Sequence, residues 1–176
     1  MAIFIDGSNL YHGLKETFNI SDTRVDFNKL MELLKQNRTL VGAYYYNASL
    51  DITRNEQAYW KQQSFFSKLK AIPGFNVVVC HMRKTRLQDG SVRYEIKGDD
   101  INLAVDMLSL AYENKYDAAI LVSGDGDFVP LVERVRSLGK NVTIACFYRG
   151  RSPRLLESCN NCLVLDSILK EHLVRK

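Results

Sequence analysis

Short apolar runs alternate along the chain with segments whose apolar residues recur at helical spacing. The clearest uninterrupted runs are AIFI at 2–5, VGAYYYN at 41–47, FNVVVC at 75–80, DAAILVS at 117–123 and NVTIACF at 141–147. This alternation is typical of β-α-β units and predicts a parallel sheet with helices packed on its faces. We therefore expect an α/β fold, a three-layer α/β/α sandwich with a mostly parallel central sheet, in which 117–123 is a central strand.

Helices are predicted between these strands from apolar spacing and capping residues. One is expected to begin near Ser8 or Asn9, and a second to follow Asp26 as its N-cap. The others are expected at about 53–70, 99–114, 127–138 and 152–158, with a last strand near 162–165 and a terminal helical turn. On the helix at 99–114 the apolar stripe consists of Ile101, Val105, Leu108 and Tyr112. The Asp-Gly pair within 82–97 predicts a β-hairpin or an extended excursion.

Length and composition fit one globular domain spanning residues 1–176. The hydrophobic content is 46% and the charged content 25%, and no apolar run approaches the roughly 20 residues that cross a bilayer. We therefore expect a cytoplasmic protein. Of the four cysteines, Cys80 and Cys146 lie inside strand-like runs, which disfavours a disulfide framework. Cys159 and Cys162 form a CxxC without the second ligand pair that a zinc site needs.

Five aspartates lie in three short clusters, and two of the clusters directly follow strand-like runs. They are Asp6 in IDGSN, Asp99 and Asp100 in KGDD, and Asp125 and Asp127 in SGDGD. Because the carboxyl ends of parallel strands meet at one edge of a sheet, we expect these carboxylates to lie together. Crowded carboxylates repel one another unless a cation neutralises them, and oxygen ligands without His or Cys favour Mg²⁺ or Mn²⁺. The pattern therefore predicts a divalent-metal site suited to chemistry on phosphodiesters.

The net charge of +4 conceals an uneven distribution. Six of the 20 acidic residues are the clustered aspartates and Asp106, so the other 14 face 24 Lys and Arg. The stretch from Arg134 to Arg154 carries six basic residues and no acidic one. Arg149 and Arg151 follow the apolar run VTIACF and are expected, with Arg154, at the same sheet edge as the aspartates. A polyanion is the predicted partner, and a solvated basic surface is the alternative.

Three segments together resemble the NYN domain family of PIN-like nucleases, most closely its bacterial LabA-like branch. They are IFIDGSNL, KGDDINLAVDML and YDAAILVSGDGDFVPLVERVRSLGKNVTIACF, and the likeness covers about residues 2–166. The resemblance implies a PIN-like fold and a metal-dependent ribonuclease with its carboxylates on the carboxyl edge of the sheet. It favours RNA over DNA as the partner, and it leaves pairing into a homodimer open, since related folds often pair.

The family's site residues are carried over motif by motif. Asp6 matches the primary metal ligand, and Asn9 matches the residue that supports it. Asp100 matches the aspartate at the start of a helix. Asp125 and Asp127 match the last acidic pair of the family. These four aspartates are the catalytic and metal-binding residues that the resemblance implies.

Three further residues are expected to support them. Ser123 precedes the last acidic pair, as it does in the relatives. Asp106 matches a recurrent aspartate but lies about 120° away from Asp100 around the helix, which predicts an indirect role. Asp99 stands where near relatives carry an apolar residue and more distant NYN nucleases carry paired aspartates.

The mechanism that the resemblance implies is hydrolysis of a phosphodiester by water bound to one or two Mg²⁺ or Mn²⁺ ions. Asp6 and Asp125 are the expected direct ligands. Asp100 and Asp127 either hold a second ion or orient the attacking water. The basic residues expected to contact nucleic acid are Arg83, Lys84, Arg86, Arg93, Lys97, Arg149, Arg151 and Arg154. A non-catalytic nucleic-acid-binding or regulatory module that retains the fold is the alternative.

Overall fold

The computed structural model describes residues 1–80, 82–86, 92–96 and 98–172, with the backbone alone at 82–86, 92–96 and 171–172. The strands in this part of the chain are β1 Ala2–Asp6, β2 Gly42–Ala48, β3 Phe75–Cys80, β4 Met82–Arg86, β5 Val92–Ile96, β6 Ala118–Val122, β7 Asn141–Cys146 and β8 Asn161–Val164. The helices are α1 Gly7–Phe18, α2 Phe27–Lys35, α3 Glu56–Lys70, α4 Asp99–Tyr112, α5 Val129–Ser137, α6 Pro153–Ser158 and α7 Leu165–His172. Short 3₁₀ turns precede α2 at Asp22–Arg24 and α5 at Gly126–Phe128.

Six of these strands form one sheet in the order β3-β2-β1-β6-β7-β8, and every neighbouring pair in it is parallel. The expected α/β sandwich is confirmed, and β6 is central as predicted, because it pairs with β1 on one side and β7 on the other. The carboxyl ends of all six strands therefore lie at the same edge of the sheet. β1, β6 and β7 end there at Asp6, Val122 and Cys146.

Helices cover both faces of the sheet. On one face α1, α2, α3 and α7 bury a cluster that includes Leu14, Leu30 and Phe66 against β1 and β2. On the other face α4, α5 and α6 bury Met107 and Val132 against β1, β6 and β7. The central strands carry apolar side chains on both faces for this reason, and they read as continuous apolar runs rather than alternating ones.

Capping residues set where the helices begin. Asp26 is the N-cap of α2 as predicted, since its side chain accepts the backbone N–H of Lys29 at 3.1 Å. Two boundaries differ from expectation. α3 begins at Glu56 because Asn55 caps it, three residues later than predicted. α1 begins at Gly7 because Asp6 is itself the N-cap.

The predicted apolar stripe of α4 does not form its buried face. Ile101, Val105 and Tyr112 are 69%, 55% and 76% exposed, and Leu108 is half-buried. The helix instead packs through Leu103 and its neighbours on the opposite stripe. α4 therefore carries two apolar stripes, one against the sheet and one facing outward.

The hairpin expected within 82–97 is confirmed in outline. β4 and β5 pair antiparallel, with Met82 opposite Ile96 and Arg86 opposite Val92. The Asp89–Gly90 turn lies outside the described residues. All four cysteines are free thiols, in agreement with the sequence. None of the helices in the described part of the chain has the length and apolar character needed to cross a bilayer.

Candidate metal and nucleic-acid site

Asp6 stands at the point where β1 ends and α1 begins. Its Oδ1 accepts the backbone N–H of Asn9 at 2.9 Å, and its Oδ2 accepts the hydroxyl of Ser123 at 3.0 Å. The side chain is 5% exposed. Because the same hydrogen bond caps α1, the orientation of the carboxylate is fixed by the start of the helix. Asp6 is therefore a buried carboxylate whose orientation is held by two hydrogen bonds.

The loop after β6 is joined to this carboxylate by further hydrogen bonds. The backbone N–H of Gly124 donates to Oδ1 of Asn9 at 3.0 Å. The N–H of Asp125 donates to Oγ of Ser123 at 3.1 Å, and Oδ1 of Asp125 accepts the N–H of Asp127 at 2.9 Å. The first and last motifs of the sequence thus form one hydrogen-bonded unit, and Asn9 and Ser123 are both part of it.

The third acidic cluster reaches the same edge through the amino end of α4. Asp99 is buried, at 8% exposed, and Asp100 is exposed. The stripe that buries Asp99 also buries Leu103 and Met107, four and eight residues further on, against the sheet. Asp99 is thus the inward-facing member of the pair, and Asp100 lies at the solvent side.

The carboxylates influence one another electrostatically. Burial raises the pKa of Asp6 to about 6, and the negative charges of Asp99 and Asp125 add to the rise. Burial likewise raises the pKa of Asp100 to about 6, with contributions from the charges of the other four clustered aspartates. The expectation that a parallel sheet brings all three clusters to one edge therefore agrees with the structure.

Asp106 is connected to this edge through Tyr46. Its Oδ2 accepts the hydroxyl of Tyr46 at 2.9 Å, and Tyr46 is paired in register with Asp6 across β1 and β2. The Tyr46 ring is buried beneath α4. This hydrogen bond joins α4 to the strand beside Asp6, and the supporting role of Asp106 stays a prediction.

The candidate ligands are carboxylate oxygens, which are the ligands that hard divalent cations such as Mg²⁺ and Mn²⁺ prefer. Among residues 1–80 and 98–172, no three Asp, Glu, His or Cys side chains already converge as a ready-made metal cage.

The loop between β7 and α6 packs directly on the acidic loop. The N–H of Ser152 donates to the carbonyl of Gly124 at 2.9 Å. A Cβ on Gly124 would lie 3.2 Å from Cα of Arg151, and one on Gly126 would lie 2.8 Å from Oγ of Ser152. The close contact accounts for glycine at both positions. It also brings the backbone of Arg151 beside Asp125.

The predicted nucleic-acid contacts divide into three groups. Arg149 is exposed in this loop and Arg154 is exposed on α6, while the half-buried Arg151 holds its guanidinium 4.2 Å from the ring centroid of Tyr148. The side chains of Arg83, Lys84, Arg86 and Arg93 on the hairpin, and the whole of Lys97, lie outside what the structure describes.

Two basic residues of the acid-free stretch are used by the fold instead. Nζ of Lys140 donates to Oδ1 of Asn114 at 2.8 Å and is buried, and it lies 4.0 Å from Asp117. The guanidinium of Arg136 donates to the carbonyl of Ser158. The other basic residues of the stretch are Arg134, Arg149, Arg151 and Arg154, and the last three lie in or next to the loop that packs on the acidic edge.

One polar group near the site was not predicted from the sequence. Asp22 is 7% exposed, and its carboxylate accepts the hydroxyl of Tyr45 at 2.9 Å and that of Ser21 at 3.0 Å. Tyr45 is in turn packed under Gly7, immediately after Asp6. A single aspartate in a polar loop gives no sign in the sequence that it will be buried.

Comparison with known proteins agrees with this geometry. The NYN domain family model matches residues 1–166. The chain is 27% identical over 145 residues to the Low amplitude and bright protein LabA of Synechococcus elongatus, covering 82% of this chain and 72% of that one. The crystal structure of a protein of unknown function from Vibrio parahaemolyticus superposes with a TM-score of 0.69 at 27% identity, covering 98% of this chain and 94% of that one.

Proposed function

Because the chain belongs to the NYN domain family, which has a PIN-like nuclease-type fold, we propose that it is a metal-dependent ribonuclease that hydrolyses phosphodiester bonds of RNA. The observation that carries the proposal is the grouping of five aspartates at the carboxyl edge of the sheet. Burial raises the pKa of both Asp6 and Asp100 to about 6, and the negative charges of neighbouring aspartates in the group add to the rise. Such a group of negative charges is costly unless a cation or a proton neutralises it, and nucleases use that cation.

Asp6 and Asp125 are proposed as direct ligands of Mg²⁺ or Mn²⁺. Their spacing is supported by Ser123, which hydrogen-bonds to both residues. Asp100 and Asp127 either hold a second ion or orient the attacking water. When bound, the ion supplies a water of lowered pKa and screens negative charge on the phosphate. Asp99, buried beside them, adds negative charge that strengthens cation binding.

Arg149, Arg151 and Arg154 are proposed to bind the phosphates that flank the scissile bond. Support comes from the packing of their loop against Gly124, next to the acidic residues. Tyr148 is 66% exposed beside Arg151, so one face of its ring can stack an unpaired base. A phosphate grip combined with stacking suits a single strand, and within the family the favoured nucleic acid is RNA.

The deciding experiment incubates the purified protein with end-labelled single-stranded RNA and DNA in Mg²⁺, in Mn²⁺ and in excess chelator. We expect cleavage of RNA with a divalent ion and none with chelator, since the carboxylates need a cation to act. Undiminished cleavage in chelator, or no cleavage of any nucleic acid in Mn²⁺, would reject the metal-nuclease proposal.

A non-catalytic nucleic-acid-binding or regulatory module is the second candidate. Two observations favour it, namely that no ready-made cage of three ligands exists among residues 1–80 and 98–172, and that the name of the cyanobacterial relative states no chemical reaction. In this case the protein binds RNA with the same affinity in chelator as with a divalent ion, and it leaves the RNA intact in Mn²⁺. The incubation described above distinguishes the two candidates directly.

We further propose that two copies of the chain pair through the outward stripe of α4. Its exposed members Ile101, Val105 and Tyr112, with Leu108, are spaced four, three and four residues apart, which is the a/d spacing of a helix-helix seam. Glu113 and Arg134, of opposite charge, border the cavity at the end of this stripe, so a two-fold partner can match each with the other.

A further inference from the structure

A cavity of about 440 Å³ opens between α1, α3, the Asp22–Arg24 turn and the end of β2. Its volume lies within the roughly 300–1,000 Å³ typical of pockets that bind organic ligands. The cavity lies at the carboxyl edge of the sheet, on the face opposite α4. It is therefore beside the carboxylates but separate from them.

Apolar side chains form its floor and mouth. Phe65 and Phe66 are buried at the bottom, with the half-buried Ala58 on the same helix. Tyr11 and Leu50 stand at the opening and are 39% and 40% exposed. A flat aromatic ring system can pack its two faces against such walls, and a base of a single-stranded nucleic acid has this shape.

Polar groups line one wall at the height of the strand ends. The buried Asp22 accepts the hydroxyl of Tyr45 at 2.9 Å and the backbone N–H of Thr23 at 2.9 Å. Asn47 donates through Nδ2 to the same Tyr45 hydroxyl at 3.2 Å and accepts the N–H of Ala48 through Oδ1. The carboxylate also accepts the hydroxyl of Ser21, so one lone pair on Oδ2 is left, and the amide of Asn47 has a second hydrogen. This wall therefore offers one acceptor and one donor to a base edge.

The cavity adjoins the carboxylate site through the start of α1. Ser8 lines the cavity two residues after Asp6. Gly7, between them, packs on Tyr45 so tightly that a Cβ there would lie 2.6 Å from Cζ of the ring. His12 and Lys61, both exposed, stand at the opening. The cavity thus begins two residues along the chain from Asp6, and Lys61 adds a positive charge at its opening.

From these contacts we infer that the cavity is a base pocket, which accepts the base of the nucleotide adjacent to the scissile phosphate of a bound RNA strand. The inference rests on the proposed function for its substrate class. The inference extends the proposed function by naming the place where the protein contacts a base of the RNA rather than its backbone. The chemistry recognised, a base on a phosphorylated ribose, is shared by RNA and free nucleotides, and the pocket is assigned here to RNA.

The test measures binding of a single-stranded RNA tetranucleotide in excess chelator, with each base in turn replaced by an abasic residue. Stacking of one base contributes about 1–3 kcal/mol, so removing the base that enters the pocket should weaken binding about tenfold at one position. In Ala58→Leu the added side chain fills the pocket, and the same base removal should then have little effect. Gln57→Leu is the matched control, since Gln57 is exposed on the same helix outside the cavity.

Lys61→Gln gives a second variant that leaves the packing of α3 intact. It should weaken binding of the intact tetranucleotide more than Lys68→Gln, its exposed counterpart on the same helix. The inference is overturned if base removal has no effect at any position, or if every position that responds loses as much affinity in Ala58→Leu as in the parent. A third outcome is that the parent binds free nucleoside monophosphates, that Ala58→Leu abolishes this binding, and that base removal in RNA has no effect. This outcome would assign the pocket to free nucleotides and would also overturn the inference.

Failure of the pocket and failure of the nuclease give different results. Because these titrations are made in chelator, they report the pocket without cleavage. If base removal has no effect on binding by the parent protein, but the parent still cleaves RNA in Mn²⁺, the pocket alone is rejected. A base effect at one position that Ala58→Leu removes, with no cleavage in Mn²⁺, supports the pocket and rejects the nuclease.

Discussion

The hydroxyl of Ser123 donates to Oδ2 of Asp6 at 3.0 Å across a separation of 117 residues. The oxygen of this hydroxyl also accepts the backbone N–H of Asp125 at 3.1 Å. A single buried hydroxyl therefore joins the first and last acidic motifs, and it sets how far apart the two proposed metal ligands stand.

Replacing Ser123 with Ala should destabilise the fold and weaken metal binding. It removes a donor from the buried Asp6 carboxylate and an acceptor from the Asp125 N–H, and leaving such groups unpaired costs about 1–3 kcal/mol. Urea unfolding at neutral pH in chelator measures this loss. A titration with Mn²⁺ should show affinity lowered about 10- to 100-fold, as for other residues that orient metal ligands.

Ser64→Ala is the control for this change, because Ser64 is exposed on α3. It should leave both quantities as in the parent. If Ser123→Ala unfolds at the same urea concentration as the parent and binds Mn²⁺ equally well, the hydroxyl does not position the two aspartates.

The free energy of unfolding of the metal-free protein should fall as the pH rises from about 4 to above 6. The pKa of Asp6 is about 6 in the folded protein against 3.8 for a free aspartate, so the folded state holds the proton more tightly. Its stabilising effect is complete below pH 4 and is lost as the pH passes 6. The loss due to Asp6 amounts to about 3 kcal/mol at most. Asp100, with its pKa also raised to about 6, acts in the same direction.

Urea unfolding across this pH range, with and without Mn²⁺, measures the effect. Asp6→Asn should flatten the pH profile, whereas Glu16→Gln, at an exposed site on α1, should reproduce the parent. Mn²⁺ should restore the stability lost above pH 6, because it replaces the proton as counter-charge. A parent profile that rises through the window, with no difference from Asp6→Asn, would contradict the prediction.

The sheet and its acidic edge could be predicted because they depend on local pattern and on one rule of parallel sheets. β1, β6 and β7 are apolar on both faces, and the residues after them must share an edge. The buried face of α4 was not predictable in this way, since Leu103 and Met107 compete with Ile101 and Val105 as equally apolar stripes. In the structure, the stripe that contains Leu103 and Met107 packs against the sheet, although Asp99 lies on the same stripe.

The polar wall of the pocket depends on contacts between distant segments. Asp22 is hydrogen-bonded to Tyr45, 23 residues later in the chain, and Tyr45 is fixed by its place in β2. The sequence correctly indicated that the tyrosines at 44–46 belong to a strand, which is more deeply buried at Tyr45 and Tyr46 than the expected half-buried strand. It gave no sign that the Tyr45 hydroxyl would meet a carboxylate at the end of that strand, since such a pairing has no periodicity.

Asp6→Asn and Asp125→Asn should each abolish cleavage while leaving the protein folded. Both changes retain the size of the side chain and an oxygen that accepts the cap hydrogen bond, from Asn9 and Asp127 respectively. Cleavage of labelled RNA in Mn²⁺ should fall by about a hundredfold or more. Asp117→Asn, at a fully exposed carboxylate, is the control. Thermal melts in chelator complete the experiment, since a large loss of stability in both variants would mean that these aspartates are structural.

Val105→Glu should convert a dimer of the chain into a monomer. The change places a charge in the centre of the outward stripe of α4, where it would be buried and unpaired between two copies. Val41→Glu is closely matched, because Val41 is 57% exposed and Val105 is 55% exposed. Sedimentation velocity of parent and variants gives the mass in solution. A monomeric parent, or a Val105→Glu variant with the mass of a dimer, would exclude pairing through α4.

Arg149→Ala combined with Arg151→Ala should weaken binding of single-stranded RNA with little dependence on its sequence. For each phosphate that the variant no longer binds, the slope of log K against log salt concentration should fall by about 0.7, because fewer counterions are released. Lys68→Ala with Lys70→Ala is the control, since it removes the same charge near the end of α3, at the amino edge of the sheet. Titrations in chelator at several salt concentrations measure the slopes. Should Arg151 instead only brace its loop through Tyr148, the double variant would lose stability with an unaltered slope, and the role in phosphate binding would be rejected.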